Sequence, residues 1–70
     1  MDRVPVDSSN VRSIGYDVRT ATLEVEFYDR SVYQYLDVPA STHQGLMAAP
    51  SKGSYLNSHI KKRFQFRQVR

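Results

Sequence analysis

Within the segment Thr22-Leu23-Glu24-Val25-Glu26-Phe27-Tyr28, the residues from Leu23 to Phe27 alternate strictly between apolar side chains and acids. Successive side chains of a strand point to opposite faces, so Leu23, Val25 and Phe27 share one face and both glutamates share the other. Such a strand is half-buried and antiparallel, and its apolar face requires a covering layer. Asp29-Arg30-Ser31 supplies a short hairpin connection to a second strand, Val32-Tyr33-Gln34-Tyr35-Leu36.

A one-residue slip exchanges the faces of a strand, so the loop decides where the tyrosines go. A two-residue Asp29-Arg30 loop pairs Phe27 with Val32 and sets Tyr33 and Tyr35 beside the glutamates. A three-residue loop pairs Phe27 with Tyr33 and Val25 with Tyr35, which joins the tyrosines to the apolar face. Both registers suit the sequence.

Upstream, Val11 to Tyr16 alternates weakly and reads as a first strand, turned at Arg19-Thr20-Ala21. Residues 1–8 hold Pro5 and no sustained period, and are expected to form a flexible arm ahead of a single domain over residues 9–70. Val38-Pro39 ends the meander, and Pro39 suits the first turn of a helix reaching about Ala48. His43, Leu46 and Met47 share its inner stripe, and Gly45 weakens it or permits close backbone approach. Pro50 blocks its continuation. Ser51 is a good N-cap for a second helix, whose Tyr55, Leu56, His59, Ile60 and Arg63 recur at helical spacing. Phe64-Gln65-Phe66-Arg67 alternates and is expected to leave that helix as an extended tail. The expected fold is α+β, a three-stranded antiparallel meander followed by two helices packed on one face.

Seventy residues bury only about 60% of the surface the unfolded chain exposes, so stability is marginal. Cys is absent, which removes disulfides and thiolate zinc sites and leaves oligomerisation as the remaining staple. No apolar run is long enough to cross a bilayer, and the chain reads as soluble and cytoplasmic.

Ser13-Ile14-Gly15-Tyr16-Asp17, the strand from Leu23 to Phe27, Val32-Tyr33-Gln34-Tyr35 with Val38-Pro39, and Ser51-Lys52-Gly53-Ser54-Tyr55-Leu56-Asn57 with Ile60 together resemble the KTSC domain family. The likeness covers Ser9 to Val69. It implies a domain found at the C-terminus of some lysyl-tRNA synthetases and as small free-standing bacterial and phage proteins, with RNA binding as its suggested role. This chain looks like the free-standing form. It departs from the pattern in a hairpin without glycine and in having Phe64 and Phe66 where tyrosine is usual.

Charge is divided along the chain. All seven acids lie at or before Asp37, so residues 1–40 carry −3 and residues 41–70 carry +6. Lys61, Lys62 and Arg63, joined by Arg67, Arg70 and Lys52, offer phosphate contacts interleaved with Phe64 and Phe66, a pairing that single-strand binders use. Tyr33, Tyr35, Tyr55, Phe64 and Phe66 are candidates for an aromatic platform on which bases stack. Packing under the helices explains the tyrosines equally well, and a solvated helix face explains the cations. The helix start Ser51-Lys52-Gly53-Ser54, with Asn57 one turn on, can attract phosphate, or can be a simple capped turn. It lacks the spacing of a P-loop. His43 and His59 have no carboxylate or cysteine near them in sequence to complete a metal site, and core or surface histidines are the default. The expected function is a non-catalytic module with no cofactor that binds RNA or another single-stranded nucleic acid. The alternatives are a homo-oligomer sequestering a small phosphorylated or cyclic nucleotide, and a protein-binding adaptor.

Overall fold

The computed structural model describes residues 1–70. The three expected strands are β2 (Val11–Asp17), β3 (Thr22–Phe27) and β4 (Val32–Tyr35). Two more strands flank them, β1 (Arg3–Pro5) and β5 (Phe66–Gln68), giving a five-stranded antiparallel sheet in the order β1-β2-β3-β4-β5. The three-stranded meander was therefore an underestimate. The segment expected to be a loose arm contains β1, which pairs Arg3 with Gly15 and Pro5 with Ser13. Gly15 makes this possible, because a Cβ there would stand 2.7 Å from the Asp2 carbonyl oxygen.

A bulge between Val11 and Ser13 shifts the β2–β3 register, so that Val11 pairs with Phe27 and Ser13 with Glu26. The extra residue returns Val11 to the face that carries Ile14, where it is fully buried.

The β3–β4 register is neither of the two anticipated. Val25 pairs with Tyr33 and Leu23 with Tyr35, two residues away from the register expected of an Asp29-Arg30-Ser31 loop; an even shift preserves the faces, so the tyrosines still share the apolar one. The loop is Tyr28-Asp29-Arg30. Arg30 N–H donates to the Phe27 carbonyl at 3.0 Å and Phe27 N–H to the Ser31 carbonyl at 2.9 Å. Arg30 takes the left-handed conformation (φ 72°) that closes three-residue hairpins, a position usually given to glycine.

Two helical segments follow. Helix α1 (Ala40–Ala48) starts after Pro39, and α2 (Lys52–Tyr55) is capped by Ser51, whose hydroxyl accepts from Ser54 N–H at 3.3 Å. The second helix is shorter than its periodicity suggests: it passes into a π-helical turn, Leu56–Ile60, in which Lys61 N–H reaches the Leu56 carbonyl at 2.8 Å. Leu46, Leu56 and Ile60 from these segments are fully buried against Val11, Ile14, Leu23, Val25, Tyr35 and Val38, so both helices lie on one face of the sheet as expected. Each such side chain stabilises the fold by about 1.5–3 kcal/mol.

The opposite face carries no helix but is closed by side chains. Glu24 accepts from Arg3 at 2.6 Å and from Gln34 at 2.8 Å, and Arg67 Nε donates to Gln34 at 2.8 Å. Glu26 accepts from the Ser13 hydroxyl and from Arg70, each at 2.8 Å. Both ends of the chain are thus tied to the two glutamates of β3. These bonds, with the Ser13 hydroxyl foremost, hold the Glu26 carboxyl below its ordinary range.

Candidate functional site

The helices leave one end of the apolar sheet face uncovered, and an open groove of about 600 Å³ lies there. Its floor and walls are Phe27, Tyr33, Tyr35 and Phe66. Tyr33 and Tyr35 are same-face neighbours on β4 with ring centroids 6.5 Å apart, and Phe66 enters from β5, where it pairs with Tyr35, to lie 5.7 Å and 6.0 Å from the two rings. Phe27 meets Tyr33 edge to face at 5.8 Å. Lys61, just past the π turn, holds its ammonium 5.3 Å from the centre of the Phe27 ring, within cation–π range. The hairpin contributes Tyr28, Asp29 and Ser31 to the rim, and the loop before β2 contributes Ser9 and Asn10.

The two tyrosines differ in exposure. Tyr33 is half-buried and its hydroxyl donates to Gln68 at 3.2 Å, whereas Tyr35 is 3% exposed. Burial, and then the neighbouring Tyr33, push the Tyr35 phenol above its usual value, so it is protonated at neutral pH. At the rim, the N–H and hydroxyl of Ser31 both donate to one Asp29 oxygen, at 3.0 Å and 2.6 Å. They hold that carboxyl below its ordinary range.

The structure gathers only some of the residues that the sequence offers as a site. Tyr33, Tyr35 and Phe66 come together. Phe64 packs against the core and, with Lys62, Arg63 and Leu36, lines a second, shallower hollow that shares Phe66 with the groove. Tyr55 is elsewhere: its ring lies against Gly45 and 4.5 Å from His59. Lys52 is engaged within the fold, donating to the carbonyls of Met47 (3.0 Å) and Ala49 (2.7 Å) at the end of α1. Arg67 points to the opposite sheet face because its neighbour Phe66 faces the groove, and Arg70 is paired with Glu26. The helix-start residues Ser51, Ser54 and Asn57 lie outside the groove. Gly53 approaches it only through Asn10, whose side-chain amide would stand 3.1 Å from a Cβ there.

Phe27, Tyr28, Lys61 over Phe27, Asn10 and Asp29 complete the groove. The alternation marked Phe27 as an inward residue, but its place at the open end follows from the register and the bulge. His43 stacks on Tyr16 at 4.6 Å, and its burial lowers its pKa. Neither histidine lines the groove, and no group of three or more His, Asp or Glu is placed to hold a metal ion. No helix is long and apolar enough to cross a membrane.

A family profile described as the KTSC domain matches residues 7–64. An uncharacterized protein of Stutzerimonas stutzeri is 43% identical over 61 residues, covering 87% of this chain and 86% of that protein. A lysine–tRNA ligase of Nostoc punctiforme is 41% identical over 63 residues. That match takes in 90% of this chain but only 11% of the ligase, so the chain spans about a tenth of the length of such relatives. Among solved structures, a KTSC domain protein from Yersinia pestis superposes with a TM-score of 0.95 at 43% identity, covering 99% of this chain and 97% of that one.

Proposed function

The chain belongs to the KTSC domain family, and from that premise we propose that it is a non-catalytic binding module that takes an unpaired base of RNA or another single-stranded nucleic acid into its aromatic groove. The observation that carries this reading is the cluster of Phe27, Tyr33, Tyr35 and Phe66 beside Lys61. Tyr35 is buried, but the exposed Phe66 and the half-buried Phe27 and Tyr33 leave ring surface on which a base can stack, worth about 1–3 kcal/mol per base, and every base has a π-face to offer. A half-exposed phenylalanine, 56% accessible, is costly to leave in water and gains most from such a partner.

The charges support the same reading on a smaller scale than the sequence implies. Lys52, Arg67 and Arg70 are satisfied within the fold, while the side chains of Lys61, Lys62 and Arg63 make no hydrogen bond or ion pair and flank the groove and its neighbouring hollow. Contact with about three phosphates should give a slope of log affinity on log salt of about −2 on single strands. Relatives that are lysine–tRNA ligases carry the matching segment on an enzyme that handles RNA, a setting in which such a module has a use.

Fluorescence anisotropy of a labelled single-stranded RNA across a sodium chloride series tests this. Binding with a slope near −2, weakened by Lys61→Ala with Arg63→Ala at unchanged melting temperature, is the expected result. Lys52→Met should lower the melting temperature and leave affinity intact. Absence of binding at low salt refutes the reading. The groove, at about 600 Å³, has room for a small nucleotide as well as for a base of a longer strand. Saturation by a mononucleotide with a flat salt response, accompanied by a dimeric mass in solution, would favour the sequestering alternative.

A further inference from the structure

The aromatic groove continues past its hairpin rim. Beyond it lies a second hollow of about 550 Å³, lined only by polar residues: Asp29, Arg30, Ser31, Gln68 and Arg70. It shares Asp29 and Ser31 with the groove, and the hydrogen bond from the Tyr33 hydroxyl to Gln68 joins a wall of the one to a wall of the other. The lining carries two guanidinium groups against one carboxylate.

The two arginines differ. Arg70 is engaged, its Nε donating to the Arg30 carbonyl at 2.9 Å and its Nη2 to Glu26 at 2.8 Å, so that it clamps the hairpin. Arg30 is exposed, and its side chain makes no hydrogen bond or ion pair even though Asp29 precedes it. Asp29 accepts instead from the N–H and hydroxyl of Ser31. The hairpin thus keeps an unpaired cation at a position, φ 72°, that glycine would take without strain. Ala21 and Asp37 also have positive φ, at the other end of the β3–β4 pair, so strain by itself does not indicate a ligand. The place of Arg30 does, because its hollow is continuous with an aromatic groove.

A flat ring joined to an anion matches that succession of surfaces, and the planar guanidinium fork is suited to phosphate. We propose that Arg30 is a phosphate-binding residue, and that a nucleotide whose base lies in the groove sets a phosphate in the hairpin hollow. This rests on the nucleic-acid reading above and deepens it. The hollow of Lys62 and Arg63 and the hollow of Arg30 adjoin opposite ends of the β4–β5 pair. A strand laid along β5 would meet Lys62 and Arg63 at one end, the rings in the middle and Arg30 at the other.

The test uses Arg30→Gly and Arg30→Ala beside the wild type. Anisotropy of a labelled single-stranded RNA is measured over a sodium chloride series, with melting curves on each protein. Uridine monophosphate and uridine are titrated separately while the amide resonances of residues 28–31 are followed by NMR. Both variants should bind the RNA about tenfold more weakly, with a salt slope shallower by about 0.7, the share of one phosphate on a single strand. Arg30→Gly should do so with a raised melting temperature and Arg30→Ala with an unchanged one, which separates the loss from unfolding. Uridine monophosphate should bind the wild type more tightly than uridine does, and that advantage should vanish in both variants.

Wild-type affinity and slope in both variants overturn the inference and leave the nucleic-acid reading standing. A loss confined to Arg30→Gly also overturns it, because loop conformation and not the guanidinium would then be responsible. Dependence on Arg30 seen with RNA alone assigns the phosphate to a strand. If RNA does not bind but uridine monophosphate does so through Arg30, the extended-strand reading fails and the phosphate site stands. Silence in both experiments overturns both.

Discussion

Gly45 to alanine is a substitution that helix propensity alone would recommend. Gly45 lies inside α1, where alanine is favoured by about 0.8–1.0 kcal/mol per residue. A Cβ at this position, however, would overlap the Tyr55 hydroxyl and stand 2.8 Å from the ring carbon that bears it, with a second ring carbon at 3.3 Å. The ring has little room to retreat, because its other neighbour is the His59 imidazole with centroids 4.5 Å apart. Overpacking of this kind costs about 1–3 kcal/mol. Set against the propensity gain, Gly45→Ala should be destabilising by about 1 kcal/mol, which in a domain of this size lowers the melting temperature by roughly 4–8 °C. In a Tyr55→Leu background the obstructing atoms are gone and the sign should invert, with alanine stabilising by about 1 kcal/mol. A double-mutant cycle by urea denaturation followed by circular dichroism should therefore give a coupling of about 2 kcal/mol between the two positions. A melting temperature that rises on Gly45→Ala in the wild-type background would refute the argument, and with it the claim that Tyr55 is a packing residue of the α1–α2 contact.

Two further expectations concern the hairpin and the outer sheet face. Arg30→Gly should stabilise the protein by about 0.5–1 kcal/mol, because glycine takes the left-handed conformation at φ 72° without a Cβ clash while its carbonyl still accepts from Arg70 Nε; thermal unfolding checks this. Glu26 has a folded-state pKa below the usual 4.5, so its contribution to stability is present above that pH and is lost as the pH falls through the folded value. Melting temperatures followed from about pH 6 to pH 3 should decline more gently in Glu26→Gln than in the wild type.

The parts of the fold legible in the sequence are those with a local chemical cause. The alternation from Thr22 to Phe27, the break at Val38-Pro39 and the Ser51 cap each act within a few residues, and each appears where expected. Strands β1 and β5 have no such signature. Three residues are too few to establish a period, and these pair because β2 and β4 offer free backbone groups to the chain ends. The Phe64-Gln65-Phe66-Arg67 alternation did mark an extended tail, but nothing local shows that it returns to the sheet. The hairpin register turned on whether Arg30, without glycine's freedom, would take a left-handed conformation. That is resolved by the packing of Tyr33 and Tyr35 with Val25 and Leu23, not by the loop. For the site, Tyr33, Tyr35 and Phe66 were legible as aromatics on shared faces. Lys52, Arg67 and Tyr55 were not separable from them, because their partners are a helix end, a polar face and a glycine remote from the groove.

Every member of the buried cluster lies between Val11 and Ile60, while Lys61 and Phe66, the cation and the open wall of the groove, come after it. The scaffold and much of the recognition surface are thus written one after the other along the chain. Changes at Lys62 and Arg63, exposed and bonded to nothing in the fold, can alter what is bound without disturbing what is folded, a division that would let one small framework be inherited intact while its choice of ligand drifts.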